Sequence, residues 1–169
     1  MVMKTLYIIG GTMGVGKSAV CEILNKKLPK CVYLDGDWCW NMDPFVETEE
    51  TKRMVKDNIC HALNNFIKCA EFENVVFCWV LHEQEIIDEL LSRVATENLH
   101  VVRVSLIASE MVLKSRLQKD IDAGLRDNGI IERSLARLPQ YDRLDTIKID
   151  TDNLTVEQVA QKIISLTEK

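Results

Sequence analysis

The sequence predicts an α/β fold in which a parallel sheet carries helices on both faces. Two observations lead there. Short β-rich apolar runs alternate with longer segments whose apolar residues recur at helical spacing. One of the runs, Asn74 to Leu81 (NVVFCWVL), is apolar without a break, as a strand covered on both faces must be. A length of 169 residues fits one domain over 1–169, and 47% hydrophobic with 28% charged residues is ordinary for a globular chain with a sizeable core.

Taken in order, Thr5 to Ile9 (TLYII) reads as the first strand and Ser18 to Leu28 as a helix stopped by Pro29. Cys31 to Leu34 (CVYL) is a short second strand. From Glu47 to Glu71 the residues Val55, Ile59, Leu63, Phe66, Ile67 and Ala70 keep helical spacing. The third strand, Asn74 to Leu81, is followed by a helix from about Glu83 to Thr96, and His100 to Ile107 forms the fourth strand. Ser109 can cap the next helix, whose apolar positions are Val112, Leu113 and Leu117. A polar, glycine-marked stretch (KDIDAGLRDNG) separates it from a helix spanning about Ile130 to Tyr141. TIKID is the last strand, and Thr155 with Gln158 forms a capping box that opens a terminal helix. In such a sheet a ligand sits beyond the carboxyl ends of the strands, so the residues after each strand are the ones to inspect.

Composition removes several functions. A net charge of −5 gives no sequence-wide attraction for nucleic acid or an anionic membrane. The six cysteines (21, 31, 39, 60, 69, 78) are scattered, with no CxxC pair and no metal-like spacing, which fits a reducing cytoplasm better than a disulfide framework. No apolar run approaches the length of a membrane span, and the N-terminal stretch MVMKTLYIIGG is too short for a signal peptide. The expectation is a cytoplasmic protein, a monomer or homodimer, without nucleic-acid or membrane partners.

Four of the seven glycines fall within residues 10–16, directly after the first strand. Glycine loses the most backbone entropy on ordering, so the cluster marks a turn where side chains do not fit. Gly11, Gly16, Lys17 and Ser18 match G-x-x-x-x-G-K-[ST] between a predicted strand and a predicted helix, the context the phosphate-binding loop requires. The backbone from Gly11 through Thr12, Met13, Gly14, Val15, Gly16, Lys17 and Ser18 to Ala19 would wrap a nucleotide's phosphates. Lys17 would meet the β- and γ-phosphates, and the Ser18 hydroxyl Mg²⁺. After the second strand, LDGD places Asp35 and Asp37 two residues apart on an extended segment, so both project the same way toward the crevice. One carboxylate can serve the metal's water shell and the other can take a proton from an attacking hydroxyl. A solvated turn is the plain alternative.

The phosphate loop together with LDGD resembles the small P-loop kinases that phosphorylate a hydroxyl on a small molecule: gluconate kinase, shikimate kinase, adenylylsulfate kinase and chloramphenicol phosphotransferase. LHEQEIIDELLSRV, VVRVSLIASEMVLKSRL and IKIDTDNLTVEQVAQKI are also similar to bacterial tunicamycin-resistance proteins and their ATP-binding relatives. The resemblance implies a three-layer α/β/α sandwich, a five-stranded sheet in the order 2-3-1-4-5 and a helical lid over about 118–133, with ATP and Mg²⁺ as cofactors. It makes Asp37 the candidate catalytic base or a ligand of the acceptor hydroxyl and sets Asp35 near the metal with Ser18, though the two acids could exchange these roles. It places Arg116 against adenine and puts Asp152 and Asn153 of DTDNL on the other side of the base. Arg126 becomes the lid arginine that meets the transferring phosphate, ahead of Lys119 and Arg133. For Arg116 and Arg126 the plain alternative is an ordinary surface charge. One departure is the third strand, VVFCWVLH, which has no acidic residue to act as a Walker B aspartate. That speaks against a mechanical NTPase. A GTPase switch is disfavoured because TDNL is not a guanine-reading NKxD loop and no DxxG follows the third strand.

The acceptor side is expected near Asp37, the helix from Glu47 and the end of the third strand, where Trp38, Trp40, Trp79 and His82 lie. Lys68 is the single basic residue between Asp57 and Ser92, so an uncharged, partly aromatic or apolar hydroxyl compound is favoured, with Arg53 and Lys56 available from the long helix. The tryptophans could equally be structural, and His82 could simply cap the next helix. The expectation is an ATP-dependent small-molecule kinase. The competing possibility is a resistance or sensor protein that binds ATP and a drug-like ligand without phosphotransfer, although such a binder has no need of both acids in DGD.

Overall fold

Each strand of the central sheet reads two ways along its length, and that alternation builds two cores. The structure, a computed structural model, describes residues 3–168. Strands β1 (Lys4–Gly10), β2 (Cys31–Asp35), β3 (Asn74–Cys78), β4 (Leu99–Ile107) and β5 (Ile147–Asp150) form one parallel sheet in the order β2-β3-β1-β4-β5. This is the strand order that the resemblance implied. On β1, Tyr7 and Ile9 point to the face covered by α1 (Lys17–Lys27) and α6 (Val156–Ser165), packing with Val20, Leu24, Val159 and Ile163. Leu6 and Ile8 point the other way, to Val55 and Ile59 of α2 (Glu49–Lys68) and Ile87 and Leu90 of α3 (Gln84–Arg93). All five residues of β3 are buried, as its unbroken apolar run requires.

The helix starts follow local chemistry. Thr48 caps α2 in a reciprocal capping box with Thr51, and Thr155 does the same for α6 with Gln158. Ser109 caps α4 (Glu110–Asp122) by accepting from the Val112 N–H. Residues 123–129 lead to α5 (Ile130–Arg137).

Three expectations change. The helix expected to run to Tyr141 stops at Arg137 and tightens into 3-10 turns over Leu138–Arg143, because Pro139 has no N–H to continue the helical ladder. The apolar run NVVFCWVL leaves the sheet at Cys78, and Leu81 adopts φ +45. There the Gly11 N–H donates to the Val80 carbonyl (3.2 Å), and Tyr141, fully buried, donates its hydroxyl to the same oxygen at 2.6 Å. Finally, the segment after β2 is not extended. Gly36–Trp40 is a 3-10 turn, closed by the Asp37 N–H donating to Asp35 Oδ1 at 3.0 Å.

Removing the Tyr141 hydroxyl tests how tightly the end of β3 is held. Tyr141→Phe removes one of the two donors to the Val80 carbonyl and should lower stability by about 0.5–1.5 kcal/mol, roughly 1–6 °C in Tm, by thermal melting.

Candidate active site

The turn between β1 and α1 is held open by its backbone. Gly11, Gly14 and Gly16 have φ +151, +82 and +102. At Gly14 a side chain is excluded twice, because a Cβ there would lie 2.6 Å from the Leu117 side chain of α4. Gly16 begins α1 with no side-chain cap, so the first N–H groups of that helix are free to meet an anion. Lys17 bends back over the loop, its ammonium donating to the Thr12 carbonyl at 3.1 Å. Burial pushes the Lys17 pKa below the usual lysine range, while Cys78, Asp37 and Asp35 pull it back up. A positive charge held at a ring of open N–H groups is an arrangement that favours phosphate.

Asp35 ends β2 and is buried beside this loop. Its Oδ2 accepts from Ser18 Oγ at 2.9 Å and from the Tyr33 hydroxyl at 3.1 Å, while Oδ1 takes the Asp37 N–H. Ser18 and Asp35 are thus side by side. Among the described residues no cluster of three His, Cys, Asp or Glu could grip a metal ion. A lone hydroxyl with one carboxylate is instead the donor set that suits Mg²⁺, which keeps most of its ligands as water and phosphate.

Asp37 lies one 3-10 step further and lines a cavity of about 740 Å³. Burial and the neighbouring Asp35 carboxylate raise its pKa, against the opposing pull of Lys17, Trp79 and Arg126. Trp79, just past β3, covers the turn. Its ring stands so close to Gly36 that a Cβ there would come within 2.6 Å, so only glycine lets indole and turn meet. Trp40, Phe45 and Ile86 continue the apolar wall, with Trp40 and Phe45 at a ring separation of 5.6 Å.

The other predicted residues divide. Trp40, Arg53, Trp79 and His82 line the cavity with Asp37, whereas Trp38 does not; it is 59% exposed and packs edge-on against Tyr33 outside. The 3-10 turn sends adjacent positions to different sides, so the two tryptophans of GDWCW part company. His82 has a buried Nδ1 without a partner among the described residues, and burial followed by the Arg137 charge lowers its pKa. Arg116 is pinned by its guanidinium, which donates to the Thr151 hydroxyl and carbonyl (both 3.0 Å) and to the Val15 carbonyl (3.4 Å). Asp152 Oδ1 takes the Ser109 N–H at 2.8 Å, and Asn153 is exposed. Arg126, between α4 and α5, pairs with Asp120 at 3.1 Å, yet its charge is felt at both Lys17 and Asp37. Arg133 pairs with Asp127 at the surface.

Two features of α5 escaped the sequence reading. Thr12 donates to the Ser134 carbonyl (2.9 Å) and the Ser134 hydroxyl to the Met13 carbonyl (2.7 Å), clamping the phosphate loop to this helix. One turn later Arg137 enters the cavity wall. Their spacing of three puts them on one helix face, the one signal that would have joined them.

Fold and site together define a phosphate-loop protein with the architecture of the small P-loop kinases. The chain belongs to the AAA domain family, which it matches over residues 8–137. It is similar to a cytidylate kinase of Buchnera aphidicola, 32% identical over 102 residues, which is 52% of this chain and 41% of the relative. The chain therefore spans about two-fifths of the length of that curated relative. Its fold is that of the tunicamycin resistance protein of Deinococcus radiodurans (TM-score 0.72, 19% identity, 98% of this chain and 96% of the other). It is likewise that of an APS kinase of Mycobacterium tuberculosis solved with AMPPNP and APS (TM-score 0.70, 16% identity, 100% of both chains). Among the described residues no helix is long and apolar enough to cross a membrane.

Gly14→Ala should weaken binding of AMPPNP by about tenfold or more in isothermal titration calorimetry, because the new methyl group meets both a strained φ and Leu117.

Proposed function

We propose that this chain transfers the γ-phosphoryl group of ATP to a hydroxyl of a small acceptor held in the cavity beside Asp37. The observation that carries this is the placement of Asp37, an acid with a raised pKa that lines the cavity and also feels the charge of Lys17. When bound, Mg²⁺ with ATP would supply the transferable group and neutralise charge on its phosphates. Lys17 and the Gly11–Ala19 backbone would hold those phosphates, Ser18 and Asp35 the metal, and Arg116 with the 152–153 loop the base. Asp37 takes the proton of the acceptor hydroxyl on a carboxylate oxygen, and its raised pKa makes it a better base than a carboxylate of ordinary pKa. Arg126 approaches from the lid to offset the charge that develops during transfer. Trp40, Trp79, Arg53 and His82 orient the acceptor, and the apolar wall keeps water from competing with it.

A second reading, transfer to the phosphate of a nucleoside monophosphate, is favoured by the cytidylate kinase relative. Asp37 weighs against it, since an acceptor phosphate has no proton that a base must remove at neutral pH.

The test is Mg²⁺-dependent ADP release across hydroxyl compounds (antibiotics, nucleosides, gluconate, shikimate) and nucleoside monophosphates. With a hydroxyl acceptor, Asp37→Asn should lower kcat by about 10²–10⁴-fold while ATP binding stays within a few-fold. Stimulation by CMP that survives this substitution would instead establish the second reading. ATP binding without stimulation by any compound would sink both.

The pH profile has a worked sign. Asp37 must be ionised, so activity rises with pH through a pKa that burial holds above the ordinary carboxylate value.

A further inference from the structure

A loop that binds phosphate must show its N–H groups to the anion and turn its carbonyls away, and each carbonyl turned away needs a donor of its own. In the turn between β1 and α1, two carbonyls are satisfied from different sides. The Thr12 carbonyl takes the Lys17 ammonium at 3.1 Å and the Val15 N–H at 3.4 Å. The Met13 carbonyl has one donor among the described residues, the Ser134 hydroxyl at 2.7 Å, which α5 brings from far along the chain.

Ser134 is committed to that contact. A carbonyl only accepts, so the Met13 contact fixes the Ser134 hydroxyl as the donor there. Thr12 Oγ1 stands 2.9 Å from both the Ser134 carbonyl and the Ser134 hydroxyl, so its own proton goes to Ser134 in turn. The Ser134 carbonyl lies in the last turn of α5, where the helical ladder runs out of N–H donors, and Thr12 supplies the missing one. Thr12 and Ser134 are both fully buried, which leaves water no access to either hydroxyl.

The peptide between Met13 and Gly14 is the one that needs such a hold. Leu117 stands so close to residue 14 that only glycine fits there, and glycine accepts either sign of φ. The peptide plane can therefore turn over at little cost unless its carbonyl is tied. In a trans peptide the carbonyl and the N–H that follows it point to opposite sides. With the Met13 carbonyl drawn to α5, the Gly14 N–H is turned the other way, and among the described residues it has no acceptor.

We propose that Ser134 is a positioning residue for the nucleotide's phosphates: its bond to the Met13 carbonyl locks the Met13–Gly14 peptide with the Gly14 N–H facing the bound phosphate. This rests on the reading of the loop as the holder of ATP, and it is independent of what the acceptor is.

Binding of AMPPNP with Mg²⁺ reads the lock without any acceptor. By isothermal titration calorimetry, Ser134→Ala should weaken it about tenfold or more, and Ser134→Cys, close in size with a weaker donor, should fall between Ser134→Ala and wild type. In amide NMR spectra of the wild-type protein, the Gly14 signal should move downfield when AMPPNP binds. In Ser134→Ala at saturation that shift should be lost while the Ser18 amide still responds. Thr12→Val removes the other half of the clamp but leaves Ser134 on the Met13 carbonyl, so it should cost less affinity than Ser134→Ala and keep the Gly14 shift. An affinity within about twofold of wild type in Ser134→Ala, a Gly14 shift that survives that substitution, or equal losses in Thr12→Val and Ser134→Ala would each overturn the proposal. The last result would reduce Ser134 to packing the helix against the loop. A wild-type protein that binds no AMPPNP would overturn the proposal together with the reading it rests on. Failure of every acceptor to release ADP would overturn phosphoryl transfer alone, since each readout of the lock is one of binding.

Discussion

The site is organised around one buried carboxylate. Asp35 receives hydrogen bonds from three directions: Ser18 at the start of α1, Tyr33 within its own strand, and the backbone of Asp37. Through them the phosphate loop, the edge of the sheet and the turn that carries Asp37 become one rigid unit. Without the Asp37 N–H bond the 3-10 turn has no lock; without the Ser18 bond β2 and α1 meet only through apolar packing. A carboxylate with three donors is well satisfied inside protein, which is why so polar a residue can sit at the centre of the site.

The cost of this arrangement falls on its neighbours. Asp37 is raised by burial and by the nearby Asp35, and Lys17 is lowered by its own burial. Both shifts oppose the charged forms that the proposed phosphoryl transfer would use, and perturbed groups of this kind gather where chemistry is done. On the cavity wall, Lys52 and Lys56 are paired with carboxylates, while Arg53 and Arg137 have none within salt-bridge distance among the described residues. Apolar packing on both faces of the sheet supplies the stability that tolerates this.

Where interactions were local, the sequence was a good guide. The Ser109 cap, the capping box at Thr155, the buried run of β3 and the glycine turn each depend on neighbours a few residues away. The order of the strands did not emerge from any local pattern; it came from resemblance, because alternation fixes which face a residue takes but not which strand lies beside it. The DGD turn misled because an extended segment and a 3-10 turn look alike in three letters, and a single side-chain bond from Asp35 decides between them. Trp38 and Trp40 were parted by that same turn. Ser134 and Arg137 were passed over because their partners, Thr12 and Met13, lie more than a hundred residues away, and only the folded chain brings them together.

The segment 123–129 hangs between two anchored posts. On one side α4 is fastened through Arg116 to Val15 and Thr151, and on the other α5 is fastened through Ser134 to Thr12 and Met13. Both fastenings lead to the same phosphate loop. A segment held in this way is tethered at both ends, so any displacement of Arg126 that leaves both fastenings intact has to come from the residues between them, around Gly124 at φ +72.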